Sequence, residues 1–246
     1  MELIYLATFF VAFLSSIISG ISGGGGGFVM TPYYLLVGLN PQQIVAGASV
    51  ASLGLGSSSL IAMRGTKLIS QRFLWPLLLL TIIATVLAMT ILPKVQSGMF
   101  EIAIGILLIC LAPTLFIGKA GLQAKERSRS SVLAGYLLYG VILFVSSLGT
   151  GLATLLFFPL IFLMGLSVLQ ANALRRVLMV AQAVVAFCLV ISQGYIVWGH
   201  ALAALAGCYL GGFIGTKIAL KKGEAFAKIG LAGIMVISGI ALLLKS

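Results

Sequence analysis

Ten apolar stretches divide this chain of 246 residues, and its basic residues fall in the gaps between them. Most of the stretches approach the ~20 residues that a helix needs to cross a bilayer. Hydrocarbon satisfies no backbone N–H or C=O, so a chain of this kind must close its hydrogen bonds within its own segments, and stretches of this length do so as helices. An all-α integral membrane protein is predicted. Composition agrees: 61% of the residues are hydrophobic and 8% charged, against about 25% charged in soluble domains. The net charge of +11 invites a nucleic-acid reading, but the basic residues form no stripe interleaved with aromatics. They are read as topology signals, with the lipid bilayer as partner and no nucleic acid.

In the first half the stretches run near residues 2–21, 26–38, 42–63, 73–92 and 98–118, and in the second near 131–148, 152–165, 168–192, 195–216 and 226–244. Leu3 to Ile18 follows Glu2 instead of a basic segment and shows no small-residue cleavage pattern, so it is expected to stay as a helix. Lys119, Lys125, Glu126, Arg127 and Arg129 make 119–130 a basic linker. The predicted organisation is a transmembrane repeat over 1–118, a cytoplasmic linker over 119–130 and a second transmembrane repeat over 131–246.

The halves match at an offset of 127 positions: Gly24 with Gly151, Pro32 with Pro159, Gly38 with Gly165, Gln43 with Gln170, Ala46 with Ala173 and Val50 with Val177. Each copy carries a glycine-rich break ahead of a second segment too short for a full crossing. Counted with that segment as a crossing, the copies are inverted, both termini lie outside, and thirteen Lys and Arg residues share the linker's side, leaving Lys94 and Lys245 opposite. Counted as a re-entrant hairpin, the basic residues split nearly evenly, which the concentration of Lys and Arg in short cytoplasmic loops argues against. Inverted repeats of five segments each are therefore predicted. Gly211 and Gly215, matched by Ala84 and Ala88, mark close helix packing. Trp75 and Trp198 read as interfacial anchors.

Glycine breaks at lipid depth free backbone groups that survive only against protein or a polar cavity, and paired breaks point to a transport site. The start of each short helix presents N–H groups and a positive dipole end, suited to an anion. Candidate substrate contacts are the backbone at Gly24, Gly25, Gly26, Gly27 and Phe28, and at Thr150 and Gly151 through Ala153. The alternative is that these glycines only permit tight helix crossing. Gln43, Gln170 and Asn172 carry amides able to bond an oxyanion or a neighbouring helix. Ser49 and Ser52 follow, ahead of the run Ser57 to Ser59. Arg175 and Arg176 lie within the start of a helix, where a forked guanidinium grips an oxyanion or anchors the chain at the interface.

Only Glu2, Glu101, Glu126 and Glu224 are acidic, each at a terminus, a loop or the first turn of a helix, so no embedded carboxylate is expected to bind sodium or relay protons. The single histidine, His200, is expected to be a hydrogen-bonded interfacial residue. Cys110, Cys188 and Cys208 lack metal-ligand spacing. No nucleophile–base pair, phosphate loop or metal cluster emerges, so neither catalytic residues, metal nor cofactor are predicted.

The run Gly23-Gly24-Gly25-Gly26-Gly27-Phe28-Val29-Met30-Thr31-Pro32 resembles the G-x-G-G-G-x-x-x-x-P signature of the TauE/SafE family of sulfite and organosulfonate exporters. The stretch from Gly149-Thr150-Gly151 through Pro159 to Gln170-Ala171-Asn172 is similar to the family's degenerate second copy. The resemblance implies a multi-pass transporter of the bacterial or archaeal cytoplasmic membrane, carrying small sulfur-containing or carboxylated anions. Leu152-Ala153-Thr154 stands where the first copy has three glycines, so an asymmetric site is expected. The working expectation is secondary transport by alternating access, with a passive channel or a membrane scaffold as the other readings.

Overall fold

The computed structural model describes residues 2–24, 26–92, 128–150 and 152–233. The predicted segment 98–118, the linker up to residue 127 and the last part of segment 226–244 lie outside the described residues. The elements are α1 (Glu2–Ser22), α2 (Gly26–Leu36), α3 (Pro41–Ala62), α4 (Gln71–Ile91), α5 (Arg129–Val145), α6 (Val168–Ser192) and α7 (Trp198–Lys222), followed by helix over 224–233. Between α5 and α6 the chain forms a π turn (Ser146–Thr150), a 3-10 stretch (Leu152–Leu156) and a second π turn (Pro159–Leu163). No strand occurs among the described residues, and six of their helices are long and apolar enough to cross a membrane. α5 starts two residues inside the stretch read as linker.

The 127-residue offset recurs in the element boundaries. α1 and α5 start at residues 2 and 129, α4 and α7 at residues 71 and 198. The short α2, Gly26–Leu36, is answered by Ala153–Leu163. Local causes repeat as well. Gly38 and Gly165 turn the chain with φ of +82° and +76°, a region that side chains with a Cβ rarely occupy. Just beyond them stand two capping boxes. The Asn40 side chain accepts from the Gln43 N–H while Gln43 accepts from the Asn40 N–H, and Ser167 and Gln170 exchange the same pair of bonds. Glu224 strengthens the second cap by accepting from Ser167 Oγ and the Leu169 N–H. Its burial pushes the carboxyl above its usual pKa, against the opposing effect of those two hydrogen bonds.

Packing exchanges partners between the halves. α1 lies along α7, where Gly207, Gly211 and Gly215 face the carbonyl oxygens of Phe9, Phe13 and Ile17. That pairing extends the predicted small-residue pair by one turn and shows that α1 and α7 run parallel. α4 and α5 are parallel too, with Phe73 beside Tyr136 and Leu80 beside Gly140. α3 also runs parallel to α7, with Gly54 against Leu205 and Ser59 bonded to Thr216 at 2.9 Å. Against α6 it runs the other way: Val45 and Ala46 share a cluster with Ala186 and Val190, while Gly56 meets Val180. The two capped helices, equivalents at the offset, therefore cross antiparallel. α2 folds back along α1, with Gly26 near Ser19 and the Tyr33 hydroxyl bonded to the Ile4 carbonyl.

The inward side of α1 is small and polar, with Thr8, Ser15, Ser16, Ser19 and Ser22 buried, while Leu3, Leu6, Phe10 and Leu14 are exposed. Trp75 and Trp198 are exposed near the starts of α4 and α7.

Candidate functional site

α1 ends at Ser22 because the next residues cannot continue it: Gly23 has a φ of +85°. Ser22 stabilises the turn by donating from its hydroxyl to Gly24 O at 2.6 Å and accepting from the Gly24 N–H at 3.3 Å. The break packs against the second half. A Cβ on Gly23 would lie 2.4 Å from Phe157 Cζ and 2.9 Å from Asn172 Cγ, and one on Gly24 would meet Thr154 and Phe157 at 3.4 Å. Close backbone approach, and not freedom alone, requires glycine here.

Beside this contact lies a cavity of about 200 Å³, smaller than the roughly 300–1,000 Å³ of sites for drug-sized ligands. The end of α1 contributes Ser15, Ser16 and Ser19, and the start of α2 contributes Gly26 and Gly27. α3 adds Ser49 and Ser52, the second break adds Ser146, Ser147 and Ala153, and α6 adds Arg175 and Gln182. Apolar side chains such as Met30, Val45, Met89 and Met179 complete the wall.

The two arginines, adjacent in sequence, divide between tasks. Arg175 is 4% exposed and lines the cavity, its guanidinium donating to Gln182 Oε1 at 3.4 Å. Gln182 donates in turn to Ser147 Oγ at 2.9 Å, and Ser147 to the Leu143 carbonyl at 2.8 Å, which ties Arg175 to the second break. Arg176 is fully buried and does not line the cavity. It donates to Asn172 Oδ1 at 3.1 Å and to the Ser19 carbonyl, which also accepts from the Gly23 N–H. Arg176 thus braces the end of α1, where a helix leaves carbonyls without partners and a cation is favoured. Neither guanidinium meets a carboxylate among its hydrogen-bond partners in the described residues, and all those partners are neutral.

The remaining sequence candidates separate cleanly. Gly24, Gly26, Gly27, Ser49 and Ser52 line the cavity with Arg175. Gln43 and Gln170 are held at the helix caps, and Asn172 supports Arg176. Ser57 and Ser58 donate back to carbonyls of α3, and Ser59 bonds α7. Gly25 and Gly151 lie outside the described residues, as do the side chains of Phe28 and Thr150. His200 is buried, its Nδ1 2.8 Å from Thr8 Oγ1 between α1 and α7. Sequence reading overlooks Ser19, Ser146, Ser147 and Gln182, although Ser19 and Ser146 match at the same offset as the breaks.

The model of the family described as sulfite exporter TauE/SafE matches residues 8–242. The chain belongs to the TauE/SafE family. Its relatives include proteins named as probable membrane transporters. One from Haemophilus influenzae is 23% identical over 89% of this chain and 87% of its own length. The protein YfcA of Escherichia coli is 25% identical over 88% of this chain and 81% of its own length. ORF9 of a Sinorhizobium species is 26% identical over 98% of this chain and 90% of its own length. No solved structure matches the chain. A membrane-embedded TauE/SafE transporter is thus the frame for the cavity and its arginine.

Proposed function

We propose that this TauE/SafE protein is a secondary transporter of a small anion, a sulfur-containing oxyanion or an organosulfonate, working by alternating access around the two breaks. One observation carries the reading: Arg175 is a buried guanidinium on a helix long and apolar enough to cross a membrane, it lines a small and largely apolar cavity, and it bonds only a neutral amide among the described residues. A charge so placed is costly unless a partner compensates it, and an anion entering the cavity is that partner. The start of α2 adds a positive dipole end at Gly26 and Gly27, and Ser19 and Ser52 offer hydroxyls, whereas those of Ser15, Ser49, Ser146 and Ser147 already donate to helix carbonyls. That the family is described as sulfite exporters supports a sulfur-containing cargo.

Alternating access needs two halves able to exchange roles. The recurrence of element boundaries at 127 residues and the antiparallel crossing of α3 and α6 support inverted repeats. The bacterial relatives support a cell-membrane location with several crossings. Reporter fusions after Lys67, Lys125 and Lys222 are expected on one side; any one of them opposite breaks the inverted arrangement. Function is tested by flux into proteoliposomes across sulfite, sulfate, thiosulfate, sulfoacetate, taurine and small carboxylates. Saturable flux with counterflow is expected for at least one. Single-channel currents would instead identify a passive pore, and no flux of any, from protein shown to be folded, removes the transport reading.

A further inference from the structure

We propose that this transporter is an obligatory anion exchanger, in which the site crosses the membrane filled and returns only when a second anion fills it. The inference rests on the alternating-access reading above and goes beyond it by stating what limits the return step. Its basis is the charge balance of the cavity. Arg175 faces the cavity and Arg176 is buried immediately behind it. Their described acceptors are Gln182 Oε1 for the first, and Asn172 Oδ1, the Ser19 carbonyl and Met179 Sδ for the second.

The described acidic residues cannot neutralise this pair. Glu2 begins α1 and is exposed, and Glu224 is engaged by Ser167 and Leu169 at the start of α6. Among the described residues the empty site therefore carries net positive charge, and a bound anion brings it closer to neutrality.

An alternating carrier must pass through a state sealed from water on both sides. Sealing the filled site pairs Arg175 with its anion in a medium of low polarity, where the attraction is strong. Sealing the empty site strips water from the guanidinium and offers an amide oxygen at 3.4 Å in exchange. The filled carrier thus reorients easily and the empty one does so rarely. Net flux in one direction then depends on an anion available for the way back. A carrier whose site cation is matched by its own carboxylate has no such requirement, and a channel, which never seals, has none either.

The experiment measures efflux from proteoliposomes loaded in parallel with radiolabelled sulfite, sulfate or thiosulfate, with potassium and valinomycin clamping the membrane potential so that charge build-up does not imitate coupling. Efflux into buffer containing the same unlabelled anion is expected to exceed efflux into potassium gluconate at least tenfold. Arg175→Gln removes the charge that blocks the empty return, so the ratio is expected to fall toward one even as apparent affinity weakens. Equal, saturable efflux into both buffers overturns obligatory exchange while leaving anion transport standing. Absence of saturable efflux for all three anions and for the wider panel removes both. A ratio that stays above tenfold in an Arg175→Gln protein that still transports also overturns the inference, because the coupling would then lie elsewhere.

Discussion

Gly23→Ala tests the packing of the first break, and Gly65→Ala supplies its control. Both glycines have a φ of +85°, but a methyl group added at Gly65 would meet nothing within 4 Å, whereas one at Gly23 would face Phe157 Cζ at 2.4 Å and Asn172 Cγ at 2.9 Å. Forcing alanine into the left-handed region costs roughly 1–2 kcal/mol at either site. The unfolded chain loses the same freedom in both variants, so that contribution cancels in the comparison. Only Gly23→Ala must also displace the Phe157 ring, which is 1% exposed and sits in the largest buried cluster. Overpacking of that kind costs about 1–3 kcal/mol. At about 2–4 °C per kcal/mol for a chain of this size, Gly23→Ala is expected to melt roughly 2–12 °C below Gly65→Ala. The assay is thermal unfolding of both purified variants in the same mild detergent, followed by size-exclusion fluorescence. Equal losses in the two variants would refute the claim that the break is wedged against Phe157.

The two arginines are expected to fail differently. Arg175→Gln should lower transport kcat/KM by at least about 30-fold, in line with the roughly 2–5 kcal/mol lost when one partner of a buried charge pair is removed; a change within threefold in folded protein contradicts its placement. Arg176→Gln withdraws the brace from Ser19 O and Asn172 Oδ1, and should cost ~1–3 kcal/mol of stability. A raised KM with unchanged melting would reverse that assignment. Gln170→Ala loses half of a capping box and should destabilise by ~1 kcal/mol without altering substrate affinity, so a large affinity change would place Gln170 in the site after all. Burial holds the Glu224 carboxyl above its usual value of 4.5. The folded chain therefore binds that proton more tightly than the unfolded chain, and its contribution to stability is present at low pH and lost as pH rises through the raised value. Glu224→Gln should flatten this decline in a melting-versus-pH series, and a slope identical to that of the unaltered protein contradicts it.

Much of the frame is legible in the residues alone. Segment 168–192 is bounded to the residue, and the short second segments appear as 11-residue helices at Gly26–Leu36 and Ala153–Leu163. Apolar length and glycine placement carry that information locally. The matched glutamines also carry a capping signal: Asn40 with Gln43 and Ser167 with Gln170 each fit the spacing of a capping box ahead of an apolar run. Arg175 and Arg176 stand out together, yet neighbours on a helix point about 100° apart, and sequence does not say which direction faces the cavity. Ser147 and Gln182 escape notice because their importance lies in a chain of bonds spanning 35 residues. Serine and glutamine on apolar helices look the same whether they line a cavity or bond a neighbour.

The positions equivalent to Arg175 and Arg176 in the first half are Ala48 and Ser49. In the proposed pair of repeats, the glycine cradle would belong to one copy and the cations to the other. On that proposal each copy is chemically incomplete by itself. A gene divided between residues 119 and 128 would yield two fragments with complementary defects, and any activity would have to wait for their reunion in the same bilayer.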